Sequence, residues 1–261
     1  KYGGNTTCVT ISSGNNNHPP LIIDAGTGIR NLGRKLSADN GNGDLNLFFT
    51  HIHWDHIQGF PFFALANREQ NRIIIHGCPT IGNVVKENIL HQMDSRNFPV
   101  NYNALKAEIV FRELCREDEI QGVEVRTLAL NHPGTCLGFR FTDDSGSIVF
   151  ITDHELEDKP YIGSNWEQTL NFVRGADILV HDGQYLREEI VNHRGWGHSS
   201  MEDVLEMAKE AAVKRLFFFH HDPDRSDREL DQIIELCRRW VKDRRLNLDC
   251  QAAAEGWSVE T

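Results

Sequence analysis

Short apolar runs of β type recur along the chain and stop abruptly at polar residues, with stretches of helical spacing between them. Val9-Thr10-Ile11 and Leu21-Ile22-Ile23 predict two strands joined by a polar turn over residues 12–20. Asp24-Ala25-Gly26-Thr27-Gly28 comes next as a small-residue loop, and residues 29–36 have helical spacing. The run over 45–49 reads as a buried strand. Beyond it the pattern predicts a helical start over 57–66, a strand over 72–76, a helix near 81–93, and strands near 107–113 and 123–130. Further strands are expected over 147–152, 178–180 and 216–219. Met201, Val204, Leu205, Ala208, Ala211 and Ala212 fall at helical spacing, and Ser199 with Glu202 fits a capping box. That predicts a helix beginning just after His198, whose amino end would offer backbone N–H groups to an anion. An amphipathic helix over 227–243 and a terminal strand or strap over 246–259 complete the pattern.

The residues at the strand ends are chemically selective. The run ending at Phe49 is succeeded by Thr50-His51-Ile52-His53-Trp54-Asp55-His56, three imidazoles and a carboxylate in six consecutive positions. On extended backbone His51 and His53 share a side, and Asp55 and His56 then come from the turn after them. Imidazole nitrogens and carboxylates are ligands that a borderline divalent ion such as zinc accepts. Four of them crowd one ion but divide into two pairs serving two metals about 3.5–4 Å apart. The strand over 128–130 ends in Asn131-His132-Pro133-Gly134, the next in Asp153, another in His181-Asp182, and a last one in His220-His221-Asp222. Polar residues end strands in general; that alone leaves the repeated choice of His and Asp unexplained. Strand ends gathered at one edge would make a single crevice.

Asp24 is expected to accept hydrogen bonds that brace the histidine loop, since its glycine-rich surroundings match no phosphate-loop pattern. His181 and Asp182 read as supports for ligands, and Trp54, Phe60, Phe62 and Phe63 as core packing in preference to a base pocket.

Length and charge narrow the function. The 261 residues carry no linker or repeat, which predicts a single domain over 1–261, and 39% hydrophobic residues suffice for a sizeable core. The longest apolar runs fall far short of the roughly 20 residues that span a bilayer. No signal peptide opens the chain, so a cytoplasmic enzyme is expected, although it begins at Lys1 and a leading segment is allowed for. Six scattered cysteines without a CxxC pair read as reduced. A formal charge of −11 opposes non-specific binding to nucleic acid, and residues 57–131 hold eight Lys/Arg against nine Asp/Glu. A small anion held by metals remains compatible with that charge.

Taken together, HxHxDH, His132, Asp153, His220 and the strand-end arrangement resemble the metallo-β-lactamase superfamily of binuclear metal hydrolases over nearly the whole chain. Tyr2-Gly3-Gly4-Asn5-Thr6, residues 24–28, 53–63, 131–134, 195–199 and 219–222 are similar to its phosphodiesterase branch, which includes tRNase Z and cyclic-nucleotide phosphodiesterases. The resemblance implies an α/β fold, an αββα four-layer sandwich lacking its first strand. It implies that His51, His53 and His132 hold one metal, that Asp55, His56 and His220 hold the other, and that Asp153 bridges them. It favours His220 over the adjacent His221, and it sets His198 in the place of the branch's non-ligand histidine. Asp55, Asp153 and His198 would carry the chemistry.

The resulting expectation is a binuclear phosphodiesterase for small phosphodiesters, cyclic nucleotides first, using a metal-bridging hydroxide. Zinc is the expected metal, with manganese or iron as alternatives. Nucleic acid and membrane are not expected as partners, and a homodimer is allowed. The rivals are a tRNA 3′-processing endonuclease, for which the gripping arm and basic surface are lacking, and a non-hydrolytic iron-binding redox member. Lactam hydrolysis is set aside, because the true β-lactamases lack the aspartate bridge.

Overall fold

A computed structural model describes residues 1–14, 18–38, 43–77, 79–114, 116–156 and 163–261, so Cys78 and Cys115 lie outside the described residues. Contacts divide the chain into two units, one of residues 5–115 and one of residues 1–4 with 116–261.

In the first unit β1 (Val9–Ile11), β2 (Leu21–Ile23), β3 (Asp44–Phe48), β4 (Arg72–Gly77) and β5 (Glu108–Glu113) form a sheet in sequence order. Only the β1–β2 pair is antiparallel. Parallel neighbours need crossovers, and α1 (Gly28–Ala38), α2 (Trp54–Ile57) and α3 (Pro79–Gln92) lie on them. Strands β2 and β3 are buried almost throughout, which is why they read as continuous apolar runs and not as alternating ones. His76 is a core histidine. Its Nε2 meets Asn46 Oδ1 at 2.8 Å, and its ring stacks on Phe48.

Two expectations fail here. The helix expected over 57–66 instead begins inside the histidine motif, as the single turn α2, and gives way to two 3₁₀ turns over Phe60–Phe62 and Ala64–Asn67. Pro61 in the first of these turns breaks the α ladder. Core packing holds for Phe60 and Phe63, which are fully buried, but Trp54 and Phe62 are 80% and 55% exposed.

The second unit holds β6 (Glu117–Ile120), β7 (Val123–Leu130), β8 (Cys136–Asp143), β9 (Gly146–Ile151), α4 (Trp166–Val173), β10 (Ile178–Asp182), α5 (Arg187–Ile190), α6 (Met201–Glu210), β11 (Arg215–Phe219), α7 (Asp227–Asp243) and β12 (Asp249–Ala252). The sheet order is β12-β11-β10-β9-β8-β7-β6, antiparallel from β6 to β9 and parallel from β9 to β12. Both β7 and β9 run opposite to β8, so the carboxyl ends of β7, β9, β10 and β11 share one edge. Val204, Leu205 and Ala208 of α6 and Leu230, Ile233 and Ile234 of α7 join Leu179, Leu216 and Phe218 in one buried cluster. Each large apolar side chain in it contributes about 1.5–3 kcal/mol by leaving water.

The cap of α6 lies one residue later than the sequence predicts. Ser200 accepts from the Asp203 N–H at 3.1 Å, whereas Ser199 Oγ donates to the His154 carbonyl. Glu202 and Asp203 occupy the first turn of α6, and their own charges already offset its positive end. Among the described residues no helix is long and apolar enough to cross a membrane.

Candidate metal centre

In the first unit the strand ends of β2 and β3 bring Asp24 to the histidine motif. Asp24 Oδ1 accepts from the Thr50 N–H at 2.8 Å, and Oδ2 accepts from Thr50 Oγ1 at 2.7 Å and His56 Nδ1 at 2.8 Å. A carboxylate only accepts, so His56 carries its proton on Nδ1 and its lone pair on Nε2. Thr50 Oγ1, having given its proton to Asp24, accepts from His51 Nδ1 at 3.0 Å, which fixes His51 in the same tautomer. One buried carboxylate therefore orients two imidazoles. The 24–28 loop holds α2 by backbone bonds as well, from Ala25 N to the His56 carbonyl and from Gly59 N to the Ala25 carbonyl. A Cβ on Gly26 would lie 2.3 Å from the Asp55 carbonyl oxygen, so glycine is required by that approach.

The result is two pairs. His51 is buried and His53 exposed, their ring centroids 4.6 Å apart, and each offers one nitrogen toward a common centre. Asp55 and His56 form the second pair, Asp55 Oδ2 lying 3.2 Å from His56 Nε2. The turn expected to carry Asp55 and His56 is the helical turn α2.

In the second unit the shared strand edge assembles the other candidates. Asp153, buried, presents Oδ2 3.9 Å from His132 Nε2 and Oδ1 3.4 Å from His220 Nε2, so its two oxygens face two different imidazoles. Thr152 Oγ1 donates to Asp153 Oδ1. His132 Nδ1 donates to the Gly197 carbonyl at 3.1 Å, leaving the Nε2 lone pair toward Asp153. His221 turns the other way, its Nε2 donating to the Ala253 carbonyl at 3.0 Å, and burial pushes its imidazole below the ordinary value. Asp153 and His220 have φ of 51° and 54°, as Asp24 has 60°. Left-handed backbone at a non-glycine residue costs about 1–3 kcal/mol, and it is held here at three strand ends that carry these functional groups.

His198 stands beside this set. Its Nδ1 meets Asp182 Oδ2 at 3.0 Å, its ring stacks on His220 with centroids 5.1 Å apart, and it meets His132 edge-on at 5.8 Å. Asp182 also accepts from the N–H groups of His154, Gln184 and Ser199, which locks it in place. His181 adds a local bond, Nδ1 to the Asp182 carbonyl, and a ring contact with His154 at 5.9 Å.

Sequence reasoning missed three contributors. Buried Glu155 accepts from the N–H groups of Gly195 and Gly197 and so clamps the loop whose carbonyl holds His132. His154, fully buried and pushed well below its ordinary pKa by that burial, accepts the Asn131 N–H through Nδ1 and fixes the chain next to His132. Gly197, at φ 85°, packs so closely that a Cβ would lie 1.9 Å from His132 Nδ1. The signal for the first two was the unbroken ionisable run Asp153-His154-Glu155, and for the third the Gly-Trp-Gly flanking of His198.

The donor set fits divalent ions: carboxylates plus imidazoles, of which His51, His56 and His132 have Nδ1 committed to an acceptor. Asp24→Asn would replace the acceptor that orients His51 and His56, and metal affinity should fall about 10–100-fold. Titration against a competing chelator measures it, and an unchanged affinity would contradict the bracing role.

Comparison with known proteins agrees with this chemistry. The model of the beta-lactamase superfamily domain matches residues 21–221. Ribonuclease BN of Proteus mirabilis is 23% identical over 248 residues, covering 78% of this chain and 77% of the relative. The metallo-beta-lactamase fold protein YhfI from Bacillus subtilis superposes with a TM-score of 0.72 at 18% identity, covering 98% of this chain and 92% of the other. A diphosphatase from the PhnP family superposes with a TM-score of 0.65 at 17% identity, covering 97% and 83%. The chain therefore belongs to the beta-lactamase superfamily, as a metal-dependent hydrolase of the metallo-β-lactamase fold.

Proposed function

We propose that the protein is a binuclear phosphodiesterase for small phosphodiesters. In this reading His51, His53 and His132 hold one divalent ion, Asp55, His56 and His220 hold the other, and Asp153 bridges them. The observation that carries it is the placement of the two Asp153 oxygens, one toward His132 and one toward His220. Zinc suits the imidazole-rich set, with manganese or iron as alternatives. Such a pair of ions supplies an activated water at neutral pH and neutralises charge that develops on the phosphoryl oxygens.

The chain's own residues do the rest. Asp153 orients both ligand sets through one carboxylate. His198 donates its Nδ1–H to Asp182, which fixes the ring, and in its doubly protonated imidazolium form Nε2 carries the second proton, the one passed to the departing oxygen. Buried Glu155 keeps the loop carrying His198 in register with His132. Cyclic nucleotides are the preferred substrates, and the PhnP-family diphosphatase among the structural neighbours supports a small phosphoester.

RNA is the second reading, favoured by the relatives named Ribonuclease BN and Ribonuclease Z. The charge of −11 weighs against it, since polyanion binding rests on phosphate contacts by Lys and Arg. Metal-loaded protein assayed with bis-p-nitrophenyl phosphate, 2′,3′- and 3′,5′-cyclic nucleotides and a structured RNA tests both. Turnover of the small diesters that His56→Ala abolishes is expected. Cleavage confined to RNA, with affinity falling steeply with salt, would transfer the assignment to a ribonuclease.

A further inference from the structure

We propose that Trp196 is a stacking platform for a planar ring carried by the substrate, a nucleobase where the substrate is a nucleotide. The proposal rests on the phosphodiesterase reading and specifies what its substrate must carry.

Trp196 is 58% exposed, yet the backbone on either side of it is pinned. The Gly195 N–H donates to buried Glu155 at 2.9 Å and the Gly197 N–H at 3.2 Å, and both glycines take left-handed φ, 82° and 85°. The Trp196 N–H donates to the His193 carbonyl at 3.1 Å. An indole held in water by a rigid loop is not part of a core, and its position is set before any ligand arrives.

Beneath it the rings continue. Trp196 meets His193 edge-on at 4.9 Å, and His193 stacks on Tyr185 at 4.2 Å with planes 12° apart. Tyr185, buried and with its phenol pushed up to about 12 by that burial, stands edge-on to His198 at 6.0 Å. His193 is itself anchored, Nδ1 donating to the Glu189 carbonyl at 2.8 Å. The series of rings thus begins at a solvent-facing indole and ends at the imidazole that meets the leaving oxygen, two residues along the same loop. A ring stacked on Trp196 belongs to a molecule whose phosphoester lies near His198. Stacking on an aromatic face tolerates any base, because every base presents a π-face.

The test compares substrates that share the phosphodiester and differ in the ring. For metal-loaded wild type, Trp196→Phe and Trp196→Ala, KM is measured with adenosine 2′,3′-cyclic phosphate and with 1-O-methylribose 2′,3′-cyclic phosphate. The ratio of the second KM to the first should fall roughly 5- to 150-fold in Trp196→Ala and recover in large part in Trp196→Phe. An unchanged ratio, or a parallel rise of both KM values, would overturn the platform. Calorimetric affinities for adenosine 5′-monophosphate and ribose 5-phosphate give the same ratio without turnover. A Trp196-dependent affinity ratio in a protein that turns over neither diester would keep the platform and retire the phosphodiesterase. Turnover with a Trp196-independent ratio would do the reverse, and binding of neither compound would retire both.

Discussion

Asp153→Asn is expected to leave a folded protein that has lost about one of its two bound ions and about 10³-fold or more of its kcat/KM toward bis-p-nitrophenyl phosphate. Asparagine preserves the shape and tolerates the left-handed backbone at this position, where φ is 51°. Its carbonyl oxygen still accepts from Thr152 Oγ1. The change removes the negative charge and one oxygen acceptor, and the wild-type oxygens face His132 and His220 separately. If Asp153 bridges the two ligand sets as proposed, a neutral group in its place weakens both. The several kcal/mol that a metal pair contributes to the transition state then shrinks, and each 1.36 kcal/mol is tenfold in rate. Elemental analysis of dialysed protein reads the metal content and initial rates read the activity. Two tightly bound ions with a rate within about tenfold of wild type would show that Asp153 is not the bridge.

The parts of the site legible in the sequence are those in which local order carries the chemistry. His51, His53, Asp55 and His56 lie within six residues, and any backbone that turns there must bring some of them together. His132, Asp153 and His220 are legible for a different reason: each comes after an apolar run, and parallel or alternately antiparallel strands put such ends on one edge. The choice between Ser199 and Ser200 as the cap of α6 is not legible, because both fit the local pattern. Tertiary bonds decide it, since Ser199 is engaged by the His154 carbonyl and the Leu156 N–H. Strand β8 is hidden in the sequence because Cys136–Asp143 pairs with β7 and β9, and those pairings stabilise it more than its own composition does. Glu155 is illegible as a clamp for a similar reason. The run Asp153-His154-Glu155 marks it as a candidate, but its partners, Gly195 and Gly197, are some forty positions away, so the clamp itself is set only by the fold. Trp54 and Phe62 show the converse error, apolar residues assigned to the core that the fold leaves in water.

His198→Ala is expected to retain both ions and lose about 10²- to 10⁴-fold in kcat with cyclic nucleotides. The contacts of His198 are not those of a ligand. It belongs to neither group of convergent donor atoms, and its ring lies flat against His220 where a shared ion would demand convergent nitrogens. The leaving group separates the two duties open to it. A ribose oxygen departs as a strongly basic alkoxide unless it is protonated, whereas p-nitrophenolate needs no proton. If Nε2 donates that proton, the loss with bis-p-nitrophenyl phosphate must be far smaller than the loss with a cyclic nucleotide. If His198 only contacts the phosphoryl oxygens, the two losses must match. Asp182→Asn adds a graded control, because an amide holds the ring less firmly than the carboxylate and should give an intermediate loss that keeps the same dependence on leaving group. Departure of metal from His198→Ala would move this residue into the ligand set. Equal losses on both substrates would leave it at the phosphoryl group, and the leaving oxygen would then have to draw its proton from water.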